Sequence, residues 1–454
     1  MRLRKLMATF LFCGLVALTG CGESATDVAP PTDADASDAS DSSGTKASDE
    51  KVTLTIMDMY TSEASDSTGK ISRVLIDEFI ADHPNITIEE ESIAHDAYEI
   101  KIKTVAQSNS LPDVFQIKGA MVQPFAKLGV ISPIDADLDS NPEWRDSFVE
   151  GAFYDFTYKD EKYGYPYELA NGSVIFYNKD IFDQCGITEF PADWDSFKAA
   201  IGTFKEKGFI PIALGNKGKW VAQCCIFSTM ADRYTGSDWF TSIQEGGGAK
   251  FTDPEFIDAL KAYEELSKLG AFNEDANSID NDQQKSLYMS GDAAMFFEGS
   301  WAISEIDDKA PEDVLNATEF GLMPSFPGGK GDLNAVAGGT GWAYAYNNNL
   351  TPEKKAAAIE LINYLTSKNF GDQLYGASGQ PAVNATIDES KVTPLFKRYI
   401  DSVQDATWSA IYDVHLPISV NGEVETGLQE IMLGSSTPEQ VAEKIQAEYE
   451  RVAE

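Results

Sequence analysis

A tryptophan that follows an apolar run is the strongest candidate for a ligand contact in this sequence. Residues 293–297 are apolar and predict a short buried strand, and a Gly-Ser pair separates that strand from Trp301. Ligands of open α/β sheets bind at the carboxyl ends of strands, so a tryptophan at this point could contact one. Packing in the core is the competing interpretation, because large apolar side chains are common there. Ser300 is expected to cap the helix that follows.

The patterns that catalysis or metal binding usually requires do not occur in the sequence. It has no C-x-x-C, H-E-x-x-H or G-x-S-x-G pattern, and its only histidines are His83, His95 and His415. The acidic run at 135–139 lacks the glycine and the closing glutamate of a calcium loop, so a solvated loop is expected there. We therefore expect neither a metal nor a cofactor. A glycoside hydrolase needs only two facing carboxylates, and 73 acidic residues leave that alternative open.

Length and charge limit the class of protein and its partners. The 454 residues favour two domains or lobes over a single core. The 73 acidic and 35 basic side chains give a net charge of −38 at pH 7. Polyanions and anionic membrane surfaces repel such a chain, so nucleic-acid binding is not expected. Solubility is the simplest explanation of the acidity.

Residues 1–20 have the composition of a signal peptide. A basic segment at 2–5 precedes an apolar stretch at 6–18, which is too short to span a membrane. The stretch ends in Leu-Thr-Gly-Cys, which resembles the lipobox of bacterial lipoproteins, so Cys21 is predicted to become the lipidated N-terminus. An ordinary secretory signal is the alternative. Residues 21–50 are rich in Ala, Ser, Asp, Thr and Pro and predict a flexible acidic tether.

Cysteine usage does not indicate a disulfide framework. Beyond Cys21, the predicted mature chain contains Cys185, Cys224 and Cys225. Three thiols allow at most one bridge among them, and the sequence does not specify which pair would form it.

Strand and helix patterns alternate along the chain that follows the tether. Strands are recognised by period-two alternation and β-branched residues, and helices by apolar residues spaced for one helix face. The predicted strands are 52–57, 86–88, 111–117 and 210–214, and the predicted helices are 71–80, 97–106, 194–205, 254–269 and 353–367. This order indicates an α/β protein with a mostly parallel sheet.

Five features occur in an order that resembles one family of proteins. They are the lipobox with its tether, Leu-Pro-Asp-Val-Phe at 111–115, Tyr-Gly-Tyr-Pro at 163–166 leading to Tyr-Asn-Lys-Asp at 177–180, Gly-Asp-Ala-Ala-Met at 291–295 leading to Gly-Ser-Trp at 299–301, and Gly-Gly-Thr-Gly-Trp at 338–342. Together they resemble the extracellular solute-binding proteins of the carbohydrate type, the maltose-binding-like receptors of ABC importers. The resemblance covers about residues 51–454.

The resemblance implies a two-lobed α/β fold of the periplasmic-binding-protein type, with discontinuous lobes and a hinge between them. The chain would cross between the lobes near Asn171, Val336 and Leu374. The implied division is lobe one at 51–169 and 337–372, and lobe two at 170–336 and 373–454. A monomer of this kind binds a sugar or oligosaccharide between its lobes without catalysis and delivers it to an ABC transporter permease. It would be anchored through Cys21 on the extracytoplasmic face of the bacterial membrane.

The resemblance also implies which residues face the ligand. A sugar has an apolar face, on which aromatic rings stack, and a rim of hydroxyls, which carboxylates and amides bind. Trp301 is the expected main platform, Trp342 a second one, and Trp220 lies in a loop that varies within the family. The other candidates are Tyr60, Glu63, Gln116, Lys118, Glu168 and Asn171. Glu168 could equally be a solvated loop charge, and Asn171 could equally be a turn residue.

A polyamine is the main alternative ligand on the same fold, because a cleft lined by aromatic and acidic side chains would suit it too. A peptide or metal ligand, or a sensor that has lost transport, also stays open. A surface-anchored glycoside hydrolase would reveal itself by turnover of a labelled oligosaccharide, which a receptor leaves intact.

Overall fold

Fifteen strands are found in the described part of the chain. The computed structural model describes residues 51–62 and 66–453. The strands are β1 Val52–Asp58, β2 Ile86–Ser92, β3 Val114–Lys118, β4 Thr157–Tyr158, β5 Glu161–Lys162, β6 Tyr165–Pro166, β7 Glu168–Asn171, β8 Val174–Asn178, β9 Ile210–Ala213, β10 Ala293–Glu298, β11 Thr318–Gly321, β12 Ala335–Gly339, β13 Trp342–Tyr346, β14 Gln380–Pro381 and β15 Thr407–Ser409. Outside the described residues lie the predictions for the signal peptide at 1–20, Cys21, the tether at 21–50 and Glu63.

Helices alternate with these strands. The α-helices are α1 Ser67–Asp82, α2 His95–Gln107, α3 Gly119–Leu128, α4 Asp135–Ser140, α5 Pro142–Arg145, α6 Lys179–Gln184, α7 Trp194–Lys207, α8 Ser228–Thr235, α9 Ser237–Gln244, α10 Pro254–Leu269, α11 Asn281–Met289, α12 Ile303–Lys309, α13 Glu312–Ala317, α14 Pro352–Leu365, α15 Lys368–Gly376, α16 Pro394–Val403, α17 Tyr412–His415, α18 Ile418–Met432 and α19 Pro438–Ala453. Short 3₁₀ helices cover Tyr154–Phe156 and Ser300–Ala302, and a π-helix covers Ala222–Phe227.

The first sheet has the strand order β2-β1-β3-β13-β6. Strand β1 runs parallel to β2 and β3, whereas β13 is antiparallel to β3 and β6. Side chains of β13 alternate between two cores, because successive residues of a strand point to opposite faces. Tyr344 and Tyr346 pack in the core of α1 and α14, and Ala343 and Ala345 pack in the core of α2 and α3. Helices therefore cover both faces of the sheet, as a largely parallel sheet requires.

The second sheet has the strand order β11-β8-β10-β9. Its strand β10 is the strand predicted at 293–297, extended by Glu298, and all 6 of its residues are buried. Met295 and Phe297 pack in a core with α7, α8 and α10, while Phe296 packs on the opposite face with α11, α12 and α16. This burial on both faces explains why the strand is continuously apolar in sequence.

A third sheet, which we call the connecting sheet, has the order β14-β7-β12-β15. In sequence, β7 follows β6 of the first sheet and precedes β8 of the second. Likewise, β12 follows β11 of the second sheet and precedes β13 of the first. The two strands are antiparallel neighbours, with Asn171 opposite Gly338. The chain therefore passes from one main sheet to the other at β7 and again at β12. Leu374, near which a third crossing was predicted, packs in the core beneath the first sheet. The lobe boundaries at 169/170, 336/337 and 372/373 stay predictions.

The acidic run at 135–139 is not the solvated loop that the sequence predicted. It forms most of α4, and all three of its carboxylates have partners, two of them in more distant parts of the fold. Asp135 accepts the backbone N–H of Lys162 at 2.9 Å, and Asp137 accepts the hydroxyl of Tyr165 at 3.2 Å. Carboxylates in the first turn of a helix also interact favourably with its dipole, which the loop interpretation did not consider.

The predicted cap at Ser300 is also wrong. Ser300 lies within the 3₁₀ helix, and its Oγ accepts the backbone N–H of Asn171 at 3.3 Å instead of capping α12. The third strand begins at Val114, three residues later than predicted, because it follows Pro112, which has no backbone N–H for a sheet ladder.

Three observations bear on membrane, metal and disulfide chemistry in residues 51–62 and 66–453. No helix there is both long and apolar enough to cross a membrane. No group of three or more His, Cys, Asp or Glu side chains in this part of the chain could hold a metal ion. Cys185, Cys224 and Cys225 are free thiols, and the last two are buried.

Candidate functional site

Four aromatic rings form a continuous row between the first and second sheets. The ring centroids of Trp301 and Trp220 lie 6.2 Å apart, those of Trp220 and His95 5.2 Å, and those of His95 and Trp342 5.7 Å. Trp301 and Trp220 follow β10 and β9 of the second sheet, whereas His95 begins α2 and Trp342 begins β13 beside the first sheet. We call these four residues the aromatic row. It unites the three predicted tryptophans, and each of its side chains is half-buried.

The Trp301 ring folds back over the glycine two residues before it. A Cβ atom at Gly299 would overlap the six-membered part of the indole, so only glycine leaves room for this conformation. The indole N–H donates to Glu298 Oε1 at 2.8 Å. The hydrogen bond to Glu298 therefore fixes the N–H edge of the Trp301 ring. The side chain is half-buried, whereas a core tryptophan would be fully buried.

Glu298 is a buried carboxylate that holds this turn together. Its Oε1 accepts from Trp301 and, at 3.1 Å, from the backbone N–H of Gly299. Its Oε2 accepts from Gln284 Nε2 at 3.0 Å and from Asn281 Nδ2. Burial raises the pKa of Glu298, although the Lys285 ammonium and the hydrogen bonds from Asn281, Gly299 and Trp301 oppose that shift. The sequence prediction missed this residue, and an acid at the end of an otherwise apolar strand was the signal that could have revealed it.

Trp220 joins the two sides of the site. Its indole N–H donates at 3.0 Å to Oδ1 of Asp96, which lies on α2 beside the first sheet. The same oxygen lies 3.2 Å from Nδ1 of His95, and this hydrogen bond holds the pKa of Asp96 below its usual value. Gly218 packs so closely on the Asp96 carboxylate that a Cβ atom there would displace it. The segment after β9 therefore lies directly against α2.

Trp342 and Lys118 are direct neighbours across the β3–β13 pair. Lys118 Nζ lies 5.1 Å from the centroid of the Trp342 ring, a distance at which the cation and the ring attract each other. The ammonium also pairs with Glu99 at 3.0 Å and with Asp413 at 2.7 Å. Burial lowers the pKa of Lys118, but these two carboxylates outweigh it and raise the pKa overall. Lys118 is thus a buried, charged partner of Trp342.

Two other predicted contacts, Tyr60 and Gln116, are buried beside the first sheet. The Tyr60 ring packs edge-on against Tyr167 with centroids 6.4 Å apart. Gln116 Oε1 accepts the backbone N–H of Met59 at 2.9 Å, and its Nε2 donates to the Tyr167 hydroxyl at 3.4 Å. Both side chains contact Tyr167, and they lie apart from the aromatic row.

Glu168 and Asn171 lie on β7 of the connecting sheet. Glu168 accepts the hydroxyl of Thr68, and burial raises its pKa to about 8. Asn171 Nδ2 donates to the hydroxyl of Tyr399 on α16 at 2.6 Å. Both residues thus form hydrogen bonds with distant parts of the chain. They do so on the strand along which the chain passes from the first sheet to the second. Asn171 is in a strand and not in a turn, the alternative that the sequence left open.

Solved structures with the same architecture are two-lobed periplasmic binding proteins. A chitin oligosaccharide binding protein superposes with a TM-score of 0.80 at 24% identity, over 88% of this chain and 98% of that one. Maltose-bound MalE3 of T. maritima gives a TM-score of 0.72 at 19% identity, over 88% and 100%. A structure from work on xylan utilization by Caldanaerobius polysaccharolyticus gives 0.79 at 29% identity, over 87% and 99%. The chain has the two-lobed α/β fold of this class.

The chain belongs to the family of bacterial extracellular solute-binding proteins, which residues 74–400 match. A protein of Mesorhizobium japonicum named "Probable sugar-binding periplasmic protein" is 24% identical over 331 residues, which are 68% of this chain and 71% of that relative. The mannitol-binding protein of Pseudomonas aeruginosa is 25% identical over 309 residues, which are 64% and 65% of the two chains. These relatives are binding proteins.

Proposed function

We propose that the protein is a lipid-anchored extracytoplasmic receptor that binds a sugar or oligosaccharide between its two lobes and delivers it to an ABC transporter permease. The aromatic row carries this proposal, because its four half-buried rings extend from the second sheet to the first. Relatives named for sugar or mannitol binding support the ligand class.

The chemistry of the row suits a chain of sugar units. Each ring can cover the C–H face of one unit, and the carboxylate of Asp96 beside Trp220 and His95 can accept hydroxyl protons at the rim. Trp301, Trp220 and Trp342 are the proposed stacking platforms. Lys118, beside Trp342, is the proposed polar contact next to the row. The proposed polar contacts elsewhere in the cleft remain Tyr60, Glu63, Gln116, Glu168 and Asn171.

The connecting sheet is the proposed hinge. Lobe one would comprise 51–169 and 337–372, and lobe two 170–336 and 373–454. Because β7 and β12 pair side by side, a change in their twist would rotate one main sheet relative to the other. A ligand that contacts both ends of the row favours the closed arrangement by its extra affinity for that state. Micromolar binding corresponds to about −8 kcal/mol, which stacking and several hydrogen bonds can supply.

The remaining parts of the proposal concern catalysis, anchoring and assembly. The carboxylates next to the row, Asp96 and Glu298, are both bonded to tryptophan N–H groups, which suits positioning of the rings. We propose binding without turnover, by a monomer anchored through Cys21. The lipobox-like sequence before that cysteine supports the anchor.

Titration calorimetry of the purified protein tests the ligand class. The panel comprises neutral oligosaccharides, amino-sugar oligosaccharides, a polyamine and short peptides, and scattering before and after ligand addition reports closure. We expect saturable binding of a saccharide together with a smaller radius of gyration. Binding of the polyamine alone would overturn the sugar receptor, and cleavage of a bound oligosaccharide would overturn binding without turnover.

A further inference from the structure

Five polar side chains meet at the Trp342 end of the aromatic row, and we call them the polar cluster. Its members are Glu99 of α2, Lys118 of β3, Asp413 of α17, and Asn421 and Glu425 of α18. Lys118 connects them to the row, since its ammonium lies near the Trp342 ring and bonds both Glu99 and Asp413. Asn421 Nδ2 donates to Glu425 Oε1 at 2.9 Å. The cluster therefore joins side chains from both sides of the proposed cleft.

Two buried oxygen atoms of the cluster have no hydrogen-bond partner among the described residues. They are Oδ1 of Asp413 and Oδ1 of Asn421, in residues that are 7% and 8% exposed. Buried polar atoms normally have a partner, so an unpaired one needs an explanation. Both atoms are acceptors, and the group that would satisfy them must be a hydrogen-bond donor.

The charges in the cluster select among possible donors. Three carboxylates, those of Glu99, Asp413 and Glu425, lie near the ammonium of Lys118, and the ammonium of Lys103 also pairs with Glu99 at 2.7 Å, so the carboxylates still outnumber the cations by one. Burial, with the Asp413 carboxylate adding to it, raises the pKa of Glu425 to about 7, although Lys118 opposes that shift. A further positive charge would offset the excess negative charge, which a neutral hydroxyl cannot do.

We propose that the polar cluster is a ligand subsite for a protonated amino group, carried by the sugar unit that stacks on Trp342. The ligand would then be an amino-sugar oligosaccharide with at least one free amine. Its ammonium would donate to the unpaired oxygen atoms of Asp413 and Asn421 and lie close to Glu425. This inference rests on the proposed sugar receptor and names the chemical class of its ligand.

Calorimetry with two probes of equal length tests the subsite. The probes are a glucosamine oligomer with free amines and its fully N-acetylated counterpart, titrated at a pH at which the amines are protonated. We expect the wild-type protein to bind the free amine at least ~10-fold more tightly, as an ion pair at a buried site implies. In Asp413→Asn and in Glu425→Gln the preference should fall below ~3-fold, with binding of the acetylated probe changed less.

Glu430→Gln is the matched control, because Glu430 is on the same helix α18 but pairs with Lys444 at 2.6 Å outside the cluster. Thermal denaturation tests whether each variant is folded. If a variant does not fold, the relative affinity of the wild-type protein for the two probes still tests the subsite. Equal or tighter wild-type binding of the acetylated probe would overturn the subsite and leave the sugar receptor standing. The subsite would also be overturned if Asp413→Asn and Glu425→Gln both fold and both keep the wild-type preference for the free amine. Binding of a polyamine but of no saccharide would overturn the receptor itself.

Discussion

The indole N–H of Trp220 donates to Asp96 Oδ1 across the site, at 3.0 Å. Trp220 follows the second sheet and Asp96 lies on α2 beside the first, so one hydrogen bond joins the two sides at the middle of the aromatic row. Because His95 bonds the same oxygen, the carboxylate fixes two rings of the row at once. Ring placement and contact between the two sheets are therefore coupled in this fold.

Gly299→Ala should weaken saccharide binding without removing any aromatic ring. The new Cβ atom would overlap the Trp301 indole, so the ring must swing away and lose its hydrogen bond to Glu298. We expect an affinity loss of roughly 1–2 kcal/mol, as for a displaced aromatic anchor, and altered tryptophan fluorescence. Gly202→Ala is the control, since a Cβ atom there meets nothing within 4 Å. Unchanged affinity and fluorescence in Gly299→Ala would contradict this placement of Trp301.

Glu298→Gln should destabilise the fold. The four N–H donors around the carboxylate need an oxygen acceptor, and the amide of glutamine would turn a donor toward one pair of them. We expect the free energy of unfolding to fall by about 1–3 kcal/mol, the cost of buried unpaired donors. Urea denaturation at neutral pH measures it. Glu319→Gln, at a half-buried position of β11 with one long ion pair to Arg398 at 3.8 Å, should leave the midpoint almost unchanged, and equal effects of the two substitutions would refute the role of Glu298.

Lys118→Met should open the protein. Removal of the ammonium takes the shared partner from the carboxylates of Asp413 and Glu99. Lys103 still pairs with Glu99 at 2.7 Å, but Asp413 becomes an uncompensated buried charge, which costs about 3–5 kcal/mol. Separation of the two main sheets exposes both carboxylates to water and relieves that cost. We expect a larger radius of gyration by small-angle scattering than for wild type. The control is Lys354→Met, whose ion pair with Asp113 lies beside the first sheet alone, and identical scattering from the two variants would contradict the prediction.

Local sequence patterns predicted many strands and helices correctly but did not predict which side chains contact each other. The alternation at 52–57 and the apolar run at 293–297 became β1 and β10, because burial on known faces produces these patterns. The pairing of Trp342 with Lys118 depends on strand register between segments 224 residues apart in sequence number, which no local pattern encodes. His95 was counted only as a histidine outside any metal motif, yet it completes the aromatic row.

Glu168→Gln should reduce the pH dependence of stability. Burial raises the pKa of Glu168 from 4.5 to about 8, so between these values the folded state retains a proton that the unfolded state has lost. The stability of the wild-type protein therefore falls as pH rises through this window and levels off above it. The glutamine keeps an acceptor for Thr68 and removes this contribution.

Urea denaturation between pH 5 and pH 9 measures the effect. Relative to wild type, Glu168→Gln should gain up to roughly 4 kcal/mol over the window, and Glu425, whose pKa is raised to about 7, retains its own contribution over a narrower pH range. Parallel stability curves for the two proteins would show that Glu168 titrates as an ordinary surface carboxylate.

The most direct test of the aromatic row is calorimetry of Trp301→Ala and Trp220→Ala with the saccharide that the wild-type protein binds. Trp239→Ala is the matched control, because its half-buried indole also donates its N–H to a carboxylate, that of Asp253 at 2.9 Å, but its ring packs against the core of the second sheet, away from the row. We predict that each row variant loses about 2 kcal/mol or more of binding free energy, while the control binds as wild type does. Wild-type affinity in both folded row variants would contradict the claim that the row is the binding site.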